Sequence, residues 1–295
     1  MDAIELNKAG EAKAHLRDYK RAISDFSTAI ELNPSLSVAY FNRGAALFES
    51  GEYKSAIPDI DKFIELERKT RIENAYFLRG LCEFHLNNYM EAIKYISKAI
   101  EAYKKDEHYF YFRGVARSRM KDYTGAIEDF GVVIQINPTY SEAYYERAMA
   151  WDNQINFNGA MADFNKAIEL NPNIPNYYVN RGIALKKSNR YNEALSDFDK
   201  AIELKPNYYL AYINRGEVKI KLSILQEVYQ DFNRAIELNP NDGRGYFGRS
   251  IYYLKFGNKE AAKTDFLEAK KLGIEGMDDL LDEIKDIIPP FGYSG

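Results

Sequence analysis

Three histidines, one cysteine and two columns of opposite charge are the residues of this chain with chemistry to offer. His15, His85 and His108 stand far apart, and none forms the i,i+4 pair or the HExxH pattern of a metal-binding helix. Cys82 is the only cysteine, so no internal disulfide is available. It falls two residues after Gly80 in a helical stretch, which suits a packed thiol better than a nucleophile. No glycine-rich loop follows a strand pattern to cradle phosphate, and Trp151 falls on an interior-looking column. These residues support no catalytic, cofactor-binding or metal-binding assignment, and the expectation is that the chain is not an enzyme.

The charged columns are more regular. Arginine immediately precedes a small residue at Arg43-Gly44, Arg79-Gly80, Arg113-Gly114, Arg147-Ala148, Arg181-Gly182, Arg215-Gly216 and Arg249-Ser250. Fifteen residues after the small residue comes Asp25, Asp59, Asp129, Asp163, Asp197, Asp231 or Asp265, with Tyr95 in the remaining place. Two half-buried columns of opposite sign invite pairing, because an unpaired buried guanidinium is expensive. The expected role is a structural ion-pair ladder; the other reading leaves the arginines available to an acidic ligand. Two pairings are open. Within a unit, Asp25 would face Ala9 and Arg79 would face Tyr95. Across the next junction, Asp25 meets Arg43, Asp59 meets Arg79 and Asp129 meets Arg147. The second explains why the first unit lacks an arginine and is the preferred one, although it leaves Arg113 opposite Tyr95 and Asp265 without a successor.

The elements that position these columns follow from a period. The small residues recur every 34 positions, with an upstream copy at Ala9-Gly10 and one step of 36 from Gly44 to Gly80. Such a period means stacked like units rather than one central core, and a stack offers a long surface. In residues 175–208, Tyr178, Arg181, Gly182 and Leu185 share one helical face; Ala194, Phe198, Ala201 and Ile202 share another. A break at 188–191 separates the two helices, and Pro206 stops the second. Glycine inside a helix costs about 1 kcal/mol against alanine, so a glycine held in one column signals close helix approach.

The small residue, the two alanine columns, the aromatic between them and the closing prolines Pro34, Pro138, Pro172, Pro206 and Pro240 resemble the tetratricopeptide repeat family. The resemblance covers residues 1–276 in eight units starting near 3, 37, 73, 107, 141, 175, 209 and 243. It implies an all-α fold, a right-handed α-solenoid (superhelix) of eight antiparallel helix pairs with a concave groove, and a role in protein–protein interaction. Departures are Lys104 where a proline is expected, two extra residues near Lys69-Thr70, Val228 in an alanine column and Ser223-Ile224-Leu225 in place of a polar turn. A solenoid must also cover its last apolar face. Met277, Leu280, Leu281, Ile284, Ile287 and Ile288, interleaved with acids, make residues 277–288 the expected C-terminal capping helix, followed by a tail at 289–295.

In the resembled family the first helix of each unit lines the groove. Carried over column by column, this implies a protein-binding surface of Phe41, Phe48, Phe77, Leu81, Phe84, Tyr111, Val115, Arg119, Tyr145, Met149, Asn153, Lys186, Lys187, Lys221, Phe247 and Lys255. Its early half is aromatic and its later half carries a basic rim. Aromatics are favourable anchors, and rim lysines steer acidic partners. The expected partner is therefore a protein or peptide with an apolar and an acidic part, bound without chemistry. The lysine and asparagine set that holds a chaperone's C-terminal carboxylate in some relatives is not reproduced; Asn42, Asn180 and Asn214 match one element of it. A regulatory or substrate-presenting module of a larger enzyme or secretion assembly is the alternative, and self-association through the solenoid ends a third reading. Net charge is −4, against a general nucleic-acid binder. The absence of a signal pattern and of a long apolar run makes cytoplasmic the expected setting, with no membrane span.

Overall fold

A computed structural model describes residues 1–67 and 72–275 of the chain. The expected capping helix at 277–288, the tail at 289–295 and the insertion at Lys69-Thr70 lie outside the described residues. The chain divides into two compact units, Met1–Asn156 and Phe157–Gly295, a division that falls inside the fifth repeat.

The first unit holds α1 (Ala3–His15), α2 (Tyr19–Leu32), α3 (Ser37–Glu49), α4 (Tyr53–Leu66), α5 (Ile72–His85), α6 (Tyr89–Ala102), α7 (Glu107–Arg119), α8 (Tyr123–Ile136) and α9 (Ser141–Asn153). The second holds α10 (Phe157–Leu170), α11 (Pro175–Lys187), α12 (Tyr191–Leu204), α13 (Tyr209–Lys221), a 3₁₀ turn at Leu225–Glu227, α14 (Val228–Leu238), α15 (Gly243–Lys255) and α16 (Lys259–Lys271). Within each unit successive helices pack on one another, and alternate odd-numbered helices also touch, for example α7 with α9 and α13 with α15. This is the all-α repeat fold that the period implies. Among the described residues no helix is long and apolar enough to cross a membrane.

The packing shows why the small column is small. At Gly182 a Cβ would stand 2.7 Å from the ring of Phe198, so the second helix presses its aromatic directly onto the first helix's backbone. The aromatics Phe26, Phe130, Phe198, Phe232 and Phe266 are fully buried, with alanines at Ala22, Ala126, Ala194 and Ala262 closing the other contacts. Seven residues after each small residue the chain turns back through a left-handed conformation. Arg17, Gly51, Asn87, Lys121, Ile155, Asn189, Ser223 and Gly257 all have φ between 59° and 85°. Ile155 is the costly member, since a β-branched side chain crowds the backbone there.

Candidate functional site

The arginine column pairs within units, which corrects the cross-junction preference. Arg43 donates to Asp59 through Nε at 2.6 Å and Nη2 at 2.7 Å. Arg113 does the same to Asp129, Arg181 to Asp197, Arg215 to Asp231 and Arg249 to Asp265. The junction is crossed by the remaining nitrogen, Nη1, which reaches back to a polar column two residues beyond the aspartates. Its acceptors are Ser27 for Arg43, Ser97 for Arg113, Asn165 for Arg181, Asp199 for Arg215 and Asn233 for Arg249, at 2.7–3.1 Å. Each fork thus stitches its own second helix to the preceding one. Asn165, Asp199 and their equivalents are polar at a fixed spacing in the sequence, a signal the charge columns alone did not exploit. Arg147 and Asp163 occupy the same two columns on either side of the unit boundary.

Where the column is broken, substitutes appear. Asp25 has no arginine and pairs with Lys13 instead. Tyr95 replaces an aspartate, and Arg79 lies 4.5 Å from its ring while binding Glu83 at 2.6 Å and Asp61 at 2.9 Å. Burial raises the Asp197 carboxyl above the usual range even though Arg181 pulls it down. The ladder therefore fixes register at a desolvation cost rather than simply adding stability. Its arginines are engaged, so they offer no free guanidinium row to an acidic ligand.

The early aromatics of the implied groove each meet a neighbouring ring. Phe41 packs on Phe63 at 5.0 Å and Phe77 on Tyr109 at 4.6 Å between ring centroids. Phe48 meets Tyr53 and His85, which themselves stack at 4.5 Å. Phe84 contacts Tyr89 and Phe112, and Tyr111 stacks on Tyr140 at 5.1 Å. Leu81 is half-buried beside them. Burial lowers the His85 imidazole below its ordinary value, and Cys82 is wholly buried with its thiol pushed up to about 12. Asp106, Glu107 and His108 bring three oxygen or nitrogen atoms within 4.8 Å of one another, but Asp106 is already the cap of α7.

Two clefts gather the other groove residues. In the first unit Val115, Arg119, Tyr145, Met149 and Asn153 line a cleft of 280 Å³ with Ser118, Tyr123, Glu146 and Ala150. In the second unit Lys186, Lys187, Lys221, Phe247 and Lys255 ring a cavity of 540 Å³ whose floor is Ile220, Phe232, Ile251 and the backbone of Gly248. Not every lysine there is available. Lys186 donates to Asn214 at 2.7 Å and to Glu217 at 2.5 Å. Lys221 and Lys255 are exposed and form no ion pair among the described residues. The sequence reading missed Glu146 and Gly248. Both stand two before the small residue, a column that reads Lys8, Asn42, Leu78, Phe112, Glu146, Asn180, Asn214 and Gly248.

Models described as tetratricopeptide repeat match residues 7–69, 66–107, 141–174 and 175–208. Human serine/threonine-protein phosphatase 5 is 39% identical over 67 residues, 23% of this chain and only 13% of that enzyme's length. The crystal structure of YrrB, a tetratricopeptide repeat protein with an unusual peptide-binding site, superposes with a TM-score of 0.55 at 25% identity, covering 63% of this chain and 95% of that one. The C-terminal part of a repeat protein from Cytophaga hutchinsonii shares the fold with a TM-score of 0.69 at 18% identity, over 82% of this chain and 98% of its own.

Proposed function

Since this chain belongs to the tetratricopeptide repeat family, a scaffold for protein interaction, we propose that it holds a segment of a partner protein in its groove and does no chemistry on it. The observation that carries this reading is the second unit's cavity, an apolar floor with exposed Lys221 and Lys255 on its rim. Gly248 keeps that floor open, for a Cβ there would meet the Phe232 ring at 2.1 Å. Apolar side chains of a bound segment would fill the floor, and acidic neighbours would meet the lysines. The rim would steer and select more than it would bind.

The test uses a fluorescein-labelled peptide with leucines at helical spacing among aspartates, beside versions with lysines or serines in place of the aspartates. The acidic peptide should bind best, weaken as salt rises and lose roughly tenfold in affinity to the Lys221→Met/Lys255→Met variant. Equal binding of the acidic and serine peptides would discard the reading. A second reading, a regulatory or substrate-presenting module of a larger enzyme, draws on the stretch shared with phosphatase 5. Recovery of a catalytic protein in stoichiometric complex from the native cell would separate the two.

A further inference from the structure

We infer that the cleft between α7 and α9 is a binding site for a basic side chain of a bound protein segment, with the Glu146 carboxylate as counter-ion. This site is independent of the lysine-rimmed cavity and takes the opposite charge.

Glu146 is the only acid in its column, which otherwise holds Lys8 in the first unit and asparagine, leucine, phenylalanine or glycine elsewhere. The Glu146 carboxyl is set into the wall of the cleft and makes no hydrogen bond or ion pair among the described residues. Burial pushes it above the usual carboxylate range, and Arg119 opposes that shift from the rim without reaching hydrogen-bond distance. Beside it the Ser118 hydroxyl is buried with no partner. The Ser118 hydroxyl is out of water and the Glu146 carboxylate is half-buried, both without a partner among the described residues; each carries a desolvation cost, and such groups in a folded protein ask for an explanation.

A cation removes both costs. Its N–H groups would donate to the carboxylate and to the Ser118 oxygen, and its charge would compensate that of Glu146. A neutral amide could fill the hydrogen bonds but would leave the charge in place. The other walls suit the same guest, because Tyr123 and Tyr145 present aromatic surface and Met149 a polarizable thioether to an aliphatic stem and its cationic head. The charged and titratable groups facing the guest are Arg119 from α7, Tyr123 from α8, and Tyr145 and Glu146 from α9. Arg119 is exposed, so water screens its repulsion.

The experiment follows the Met149 methyl signal of the whole chain by NMR while n-butylammonium, n-butylguanidinium or the neutral isostere pentanamide is added. The two cations should shift it saturably, with pentanamide at least about tenfold weaker. Glu146→Gln should weaken the cations by at least ~10-fold while Lys255→Met leaves them unchanged. Equal effects of pentanamide and butylammonium, the absence of a saturable shift in the unmodified chain, or retention of binding by a folded Glu146→Gln variant would each overturn the assignment. The comparison of the three probes decides the matter in the unmodified protein even where the variant does not fold.

Discussion

The cleft between α7 and α9 and the cavity between α13 and α15 are built from the same columns of the repeat, yet they differ in chemistry. Tyr145 in the first corresponds to Phe247 in the second, Met149 to Ile251 and Asn153 to Lys255. The decisive difference is one position, Glu146 against Gly248. Glu146 puts a carboxylate in the wall of the first cleft; at Gly248 a Cβ would meet the Phe232 ring at 2.1 Å, and the second cavity, of 540 Å³, carries lysines from other columns at its edge. A repeat fixes where side chains go, and we propose that a single column then sets the sign and size of what each cleft accepts.

The ladder beneath the two clefts offers the largest test of this contrast. Asp265, buried behind α15, takes its hydrogen bonds from Arg249 alone among the described residues, whereas Asp129 behind α7 is held by Arg113 and also by Arg117 at 2.9 Å. Arg249→Met should therefore cost about 3 kcal/mol in urea unfolding, because it strands a buried carboxylate. Arg113→Met should cost roughly half as much, since Arg117 remains. Equal losses would mean that the second arginine adds nothing.

Next in size is the contrast between an aromatic that is packed and one that is offered. Phe84 is bound into a network with Tyr89 and Phe112, so Phe84→Ala should lose roughly 2–3 kcal/mol of stability. Phe247 lines the open cavity, and Phe247→Ala should cost less stability but most of the binding of the acidic leucine peptide. Thermal melts and peptide titrations on the same two variants separate the roles. A third, smaller contrast lies in the turns that follow the two clefts. Ile155 and Gly257 share the left-handed column, with φ of 60° and 73°. Ile155→Gly should stabilise by about 1 kcal/mol and Gly257→Ile should destabilise by a similar amount.

The helix pairs, the close approach at the small column and the turn positions were legible because each depends on a local period. The partner of each arginine was not. At Arg43, Arg113, Arg181, Arg215 and Arg249 the guanidinium sits between its own second helix and the preceding one, and both present acceptors at equal sequence distance. Arg43 lies 16 residues from Asp59 on one side and from Ser27 on the other. Only the third dimension says that Nε and Nη2 of Arg43 take the carboxylate within the unit and Nη1 the hydroxyl across the junction. The contacts of the aromatic surface were not legible for a related reason. A column of phenylalanines at groove positions is equally consistent with rings that point out and rings that meet other rings; Phe48 and Phe84 meet neighbours edge-on, Phe77 at a tilt, and Tyr111 stacks. Glu146 was overlooked because a lone carboxylate in a mixed column resembles a solvated charge until its surroundings are known.

The smallest effect is also the most specific, because it turns on sign. Burial raises the Glu146 carboxyl above its ordinary value of 4.5, so the folded chain binds this proton more tightly than the unfolded chain. Stability then falls as pH rises from that value through the folded one, and the penalty is complete above both. Glu146→Gln removes the charge, so the variant should unfold at a higher temperature than the parent near pH 7, and the two should converge below about pH 4. Asp242, the cap of α15 beside the other cavity, has the reverse sign. Its hydrogen bond from the Arg244 side chain holds its carboxyl below its ordinary value of 3.8, so the stability it contributes is present above that value and is lost as pH falls through the folded one. Asparagine preserves the cap, so Asp242→Asn should lower the unfolding temperature at pH 7 by an amount that fades on acidification. Melting curves of the three proteins across this range compare the two carboxylates directly. A Glu146→Gln variant less stable than its parent at neutral pH would mean that Glu146 already has a partner, and the first cleft would then lose the unmet charge that distinguishes it from the second.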